Sequence, residues 1–217
     1  MKSKLRALFW KIWWNMPWCV INRNVKMRQA RKLFDYKKNK NISIVAANCI
    51  GGELYSVLGL QFTTPFINCS IGRNDFVILA RHFSAYMQGE IKDFFRNQRS
   101  ELTCRLSAEG LPPIEISWPH DEEPEQVVRN FEKRRSRINY EKLVFITDDD
   151  GLSDESYQFF AELSAYKKAV ISSRFCDRKH DFIEKLEVDS ARGLQYKTLS
   201  GIFRFQKVWD FVAWFNK

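Results

Sequence analysis

The chain has 217 residues, 45% hydrophobic and 28% charged, enough for one full core and too few for two ordinary domains with an appendage; its composition also excludes global disorder. The net charge of +9 is local: residues 1–40 hold twelve Lys or Arg against one acid, Asp35, a balance of +11, while the remaining 177 residues hold 23 basic and 25 acidic side chains, a balance of −2. The cysteines are five, an odd number, with no Cys-x-x-Cys pair, which argues against a disulfide scaffold or a structural zinc site and fits a reducing cytosol.

In the basic arm, Leu5, Leu8, Phe9, Ile12, Trp13 and Met16 share one helical face, while Lys2, Lys4, Arg6, Lys11 and Asn15 lie largely elsewhere. Pro17 should end that helix. Tryptophan favours the headgroup region of a bilayer, and each Lys or Arg near an anionic leaflet contributes about 1 kcal/mol. An in-plane helix on an anionic membrane surface through residues 1–38 follows; the same stripe also suits packing on the protein's own core or on a partner helix. Nucleic acid is not expected, because these aromatics cluster with leucine and isoleucine instead of lining a cationic groove. Lys11 interrupts the apolar run and no small-residue cleavage site follows, so no export signal is expected. No run is long enough to span a bilayer.

A second basic helix is expected from about Val20 to Lys38, and Asn39-Lys40-Asn41 breaks the chain before the core. Residues 1–40 are therefore a helical arm, and residues 41–217 one α/β domain. Ile42 to Ala47 is an apolar strand; Asn48-Cys49, Gly51 and Gly52 lead from it into a helix carrying Leu54, Tyr55, Val57 and Leu58. In α/β folds this crossing, at the carboxyl edge of the sheet, is where ligands bind. Phe66 to Ser70 is a second candidate strand. Asn74 or Asp75 suits the N-cap of a helix with Phe76, Leu79, Ala80, Phe83 and Met87 at helical spacing. Leu102–Ser107 and Ile114–Trp118 alternate in period two around a Gly110 to Pro113 turn, as antiparallel strands do.

A charged helix is expected from Glu123 to Ile138, then a strand, Leu143–Thr147, running into Asp148-Asp149-Asp150-Gly151. Ser153 can cap a helix that buries Phe159, Phe160 and Leu163; Ala169–Ser172 is a further strand; Phe205–Phe215 is a closing amphipathic helix. The alternation predicts a three-layer α/β/α domain with a mixed, mostly parallel sheet.

Asn48-Cys49-x-Gly51-Gly52, Leu58-Gly59-Leu60 with Pro65-Phe66, Arg-Arg-Ser-Arg-Ile-Asn at 134–139 and Thr147-Asp148-x-Asp150-Gly151, in this order, resemble an uncharacterised bacterial family. That family is a domain of unknown function whose members are often labelled exopolysaccharide or capsule biosynthesis proteins. The resemblance runs from about Ile42 to the C-terminus. It implies an α/β fold and a process, surface-polysaccharide synthesis, without a reaction.

Three readings fit the residues, two of them chemical. A thiol at a helix N-terminus has a lowered pKa, which makes Cys49 a candidate nucleophile for an acyl or activated-sugar donor, with Asn48, Gly51 and Gly52 as an anion cradle. A small core cysteine at a tight turn is the plain alternative. Of the histidines, His82 sits in a helical pattern and His120 in a loop. His180 belongs to Asp177-x-x-His180, which with Gly72-x-Asn74-Asp75 resembles blocks of the Gly-Asp-Ser lipase-like hydrolases, although the Gly-Asp-Ser block itself is absent; His180 is thus the candidate base. Asp148 and Asp150, one residue apart at a strand end, resemble the Asp-x-Asp of sugar-nucleotide transferases, where carboxylates hold Mg²⁺ or Mn²⁺; loop and capping roles explain the same acids. The third reading is a non-enzymatic peripheral scaffold. Together these readings describe a transferase acting on a sugar-nucleotide, lipid-linked sugar or acyl donor, peripheral on the cytoplasmic face of the cell membrane.

Overall fold

The computed structural model describes residues 9–10, 12–120, 123–172, 181–185 and 198–217, with only the backbone of residues 184, 185 and 208. Four strands make a parallel sheet: β1 (Ser43–Ala46), β6 (Leu143–Asp148), β7 (Lys167–Ser172) and β8 (Ile183–Lys185), side by side in that order. The register pairs Ala46 with Ile146, and Asp148 with Ile171. Parallel strands need cover on both faces, and the period-two alternation supplies two apolar faces. Ile44, Ala46, Val144, Ile146, Ala169 and Ile171 cluster with helices α1 (Pro17–Leu33) and α2 (Ile50–Leu58) and with the C-terminal helices α7 (Phe205–Val208) and α8 (Phe211–Asn216). Val45, Phe145 and Val170 cluster with α3 (Arg73–Arg81), α4 (Phe83–Tyr86), α5 (Pro124–Arg135) and α6 (Asp154–Glu162). The α/β architecture is thus layered as expected. Burial of one large side chain such as Phe131 or Phe160 contributes roughly 1.5–3 kcal/mol, and both are fully buried.

The antiparallel strands do not join that sheet. They form a second one in the order β2 (Ser70–Ile71), β5 (Ile114–Trp118), β4 (Leu102–Ser107), β3 (Glu90–Arg96), so the mixed sheet resolves into one parallel and one antiparallel sheet. Leu106, Ile114, Ile116 and Trp118 pack it into the second cluster. The two sheets meet where the Ile71 N–H donates to Ala47 O (2.9 Å), just past the end of β1. That junction opens a cleft between them.

Two local expectations are corrected. Phe66 to Cys69 is irregular, with the Ile67 N–H turned back to Pro65 O, and the strand there is only Ser70–Ile71. Neither Asn74 nor Asp75 caps α3: Gly72 holds the N-cap position with no side-chain cap bond. Instead Asn74 Oδ1 accepts from Ser153 N (2.9 Å), tying the start of α3 to that of α6. Ser153 does cap α6, accepting from Ser156 N.

The arm packs on the body. Pro17 occupies the first turn of α1, where its missing N–H costs nothing. Arg31 donates to Val57 O and Ser56 O at the end of α2; Asn22, Cys19, Trp13 and Trp14 all donate to backbone carbonyls of residues 198–200. Its outward side carries Phe9, Ile12, Met16, Trp18, Ile21 and Val25, all exposed. In α1 Trp18, Ile21 and Val25 continue as Arg28 and Lys32 at i, i+3, i+7, i+10 and i+14, a face that turns from apolar to basic. No helix among the described residues is long and apolar enough to cross a membrane.

Candidate functional site

The cleft between the two sheets has a volume of about 1150 Å³ and lies at the carboxyl edge of β1 and β6. β1 delivers Asn48 and Cys49, β6 delivers Asp150, α3 begins with Arg73 on its wall, and the loops of the antiparallel sheet bring Arg99, Glu101 and His120. Trp14 of the arm and Phe203 complete the rim.

Cys49 is the N-cap residue of α2. Its Sγ lies 3.9 Å from His120 Nε2 and 3.8 Å from Cys69 O. Among the described residues the histidine facing the thiol is His120, on the loop after β5; the expected His180, with Asp177, lies outside the described residues. The thiol is not activated at rest. Burial pushes it from its ordinary 9.0 up to about 11, and the carboxylates of Glu53 and Glu101 push the same way. The helix end therefore does not lower it as expected, because desolvation and two nearby negative charges outweigh the helix dipole. A neutral thiol hydrogen-bonded to an imidazole is a nucleophile that needs a base at the moment of attack.

Asp148 is employed differently from the expected metal ligand. Its carboxylate is 2% exposed; Oδ1 accepts from Arg73 Nε (2.8 Å) and from Asp150 N (3.0 Å), and Oδ2 accepts from the Arg73 guanidinium (2.7 Å) and Asn48 Nδ2 (2.6 Å). Only Asp150 of the two aspartates lines the cleft. Among the described residues no three His, Cys, Asp or Glu side chains are grouped to hold a metal ion. Both Asp148 oxygens are taken up by protein donors, so the Asp148–Asp150 pair as arranged does not offer the free oxygens that Mg²⁺ or Mn²⁺ requires.

The proposed anion cradle is also differently occupied. Asn48 spends its amide on Asp148 and its Oδ1 on the Ile50 N–H (2.9 Å), so it fastens the first turn of α2 to the end of β6. Gly51 and Gly52 are buried and do not line the cleft. They are small because the helix runs close to its neighbours: a Cβ on Gly51 would stand 3.0 Å from Ala46 Cβ, and one on Gly52 would collide with Asn68 Oδ1. Arg73, Glu101 and His120 are the site residues that sequence reasoning missed. The signal for Arg73 was weak, a cation directly after Gly72; for His120 it was its position just past Trp118-Pro119 at the end of a strand.

Residues 19–216 match the family model described as a domain of unknown function, DUF1919, and the chain belongs to that family. The match takes in α1 as well as the α/β body. The chain is also similar to an uncharacterized protein of Haemophilus influenzae, 21% identical over 201 residues that cover 90% of this chain and 94% of the relative.

Proposed function

We propose that this DUF1919 member is an acyltransferase of bacterial surface-polysaccharide synthesis, peripheral on the inner face of the cell membrane, with Cys49 as nucleophile and His120 as its base. The observation that carries the reading is the Sγ–Nε2 approach of 3.9 Å inside a cleft large enough for a sugar and an acyl chain. His120 Nε2 takes the thiol proton as sulfur attacks the ester carbonyl; the C–S bond forms, the ester C–O bond breaks, and the proton goes to the departing alkoxide. A sugar hydroxyl then attacks the thioester, His120 receives its proton, and the thiol is restored. Apo distances of this kind shorten when substrate binds.

The process rests on the motif resemblance that begins at Asn48-Cys49 and ends at Asp150-Gly151. A lipid-linked sugar as acceptor suits a protein docked on anionic lipid through its arm. The described cysteines are all free thiols, which agrees with a reducing compartment. A second reading, a non-enzymatic scaffold held by the same arm, is favoured by the thiol's elevation to about 11. Incubation of the full chain with p-nitrophenyl acetate separates the two. The enzyme reading predicts one hydroxylamine-sensitive acetyl group, located on Cys49 by peptide mass spectrometry; an unmodified Cys49 after prolonged incubation favours the scaffold.

A further inference from the structure

We infer that the acyl donor is an ester lipid resident in the bilayer, brought to Cys49 because the element that docks on the membrane is also a wall of the cleft. This rests on the acyltransferase reading above. The arm has two working sides. Outward, Phe9, Ile12, Met16, Trp18, Ile21 and Val25 stand exposed, Ile21 at 62%, and Arg28 and Lys32 follow on the same line. Leu199, 63% exposed on the loop that the arm grips, extends this apolar surface. Inward, Trp14 lines the cleft that holds Cys49.

The occupant of the outward side is an anionic bilayer surface. Tryptophans at an interface, apolar side chains able to enter the headgroup region and cations that stay above it are the features such a surface selects. A protein partner is the other conceivable cover. Exposed apolar side chains and cations on one face match an anionic lipid interface, where the first enter the headgroup region and the second meet the lipid phosphates.

The two sides are rigidly joined. Trp13 and Trp14 donate through Nε1 to Leu199 O (2.9 Å) and Thr198 O (3.0 Å), and Asn22 donates to Ser200 O (2.8 Å). Trp10 stacks on Trp14 with ring centres 5.2 Å apart, and Phe9 stacks on Trp13 at 5.9 Å. The element that carries the docking face is thus fixed to the body beside the cleft, with Trp14 as part of the cleft wall. The interior of the cleft adds a condition on the reacting group. Glu53 and Glu101 line it together with Arg73 and Arg99, and an uncharged carboxylic ester meets neither sign with repulsion. In the first half-reaction the lipid's acyl carbon bonds to Cys49 Sγ, the ester C–O bond breaks, and the thiol proton leaves with the lipid alcohol through His120.

The test uses the full chain and vesicles of phosphatidylcholine and phosphatidylglycerol with radiolabelled acyl chains, alongside p-nitrophenyl acetate. The expected result is hydroxylamine-sensitive label on Cys49 from the vesicles. In the variant Ile21→Glu with Val25→Glu this label falls at least tenfold, whereas acetylation by p-nitrophenyl acetate is unchanged. Acetylation without any lipid label overturns the lipid donor and leaves the acyltransferase standing. Equal lipid labelling of variant and parent overturns delivery by the arm. Failure of both reagents to modify Cys49 removes the acyltransferase, and the lipid donor with it.

Discussion

Two neighbouring strands of one sheet end in the same cleft and are finished in opposite ways. At the end of β6, Asp148 is sealed: each carboxylate oxygen takes two hydrogen bonds, and a guanidinium grips it bidentately. At the end of β1, one hydrogen-bonded partner away through Asn48, Cys49 remains partly accessible, with a long contact to His120 and an open volume in front of it. Polar groups that are fully satisfied hold geometry, and a group left with a weak partner can react. Under the proposed acyltransferase reading, Asp148 positions and Cys49 reacts, with Asn48 as the link between them.

The largest effect expected from breaking this arrangement is on the sealed side. Arg73→Met leaves Asp148 charged and buried without its ion-pair partner, a loss of about 3 kcal/mol in urea unfolding. Adding Asp148→Leu to that variant restores much of the stability, because no lone charge is then buried. It does not restore acylation of Cys49 by p-nitrophenyl acetate, since Asn48 has lost its anchor. Full recovery of both would show that the clamp does not position the thiol. Next in size is Gly51→Ala, whose new methyl meets Ala46 Cβ at 3.0 Å; thermal unfolding should report a loss of about 1–3 kcal/mol from overpacking. A neutral outcome would mean that α2 can shift off β1.

On the open side the predicted signature is a pH profile. With Cys176 replaced by serine and the other cysteines buried, the iodoacetamide rate at Cys49 should keep rising toward about pH 11, where an ordinary thiol would level off near 9.0. A plateau near neutrality would indicate a preformed thiolate. The linkage has a definite sign. The folded thiol holds its proton more tightly than the unfolded one, so its contribution to stability is intact below pH 9.0 and is lost as pH rises toward about 11. The smallest effect on stability is expected in the arm: Ile21→Glu with Val25→Glu, both exposed, should shift unfolding by no more than about 0.5 kcal/mol per site while abolishing co-sedimentation with anionic vesicles.

Much of the sealed framework was legible in the residues. β1, β6 and β7 are apolar runs; β4 and β5 alternate in period two; Ser153 stands where a cap is required. Each of these signals is local. β3 was not legible, because it is an edge strand whose side chains are mostly exposed and whose pairing is interrupted between Lys92 and Phe95, so it carries no apolar alternation. A cleft does open at the β1–α2 crossing, yet most of the side chains that line it were not legible. Arg73 and Asp148 lie 75 residues apart and meet only because α3 starts beside the end of β6. His120 reaches Cys49 across 71 residues because the junction of the two sheets at Ala47 and Ile71 swings the loop after β5 over the cleft. Spacing along the chain does not encode either approach. Gly51 and Gly52 illustrate a different failure, since a glycine pair before a helix has the same appearance whether it cradles an anion or admits a neighbouring strand.

The most direct measurement is the rate constant for acetylation of Cys49 by p-nitrophenyl acetate in the parent chain and in His120→Ala, followed by release of p-nitrophenol near neutral pH. A base that takes the proton of an unactivated thiol contributes roughly 10²–10⁴ in rate, so the variant should slow by at least about a hundredfold while its unfolding transition stays in place. Equal rates in the two proteins would contradict the Cys49–His120 pair and leave the open strand end without its proposed chemistry.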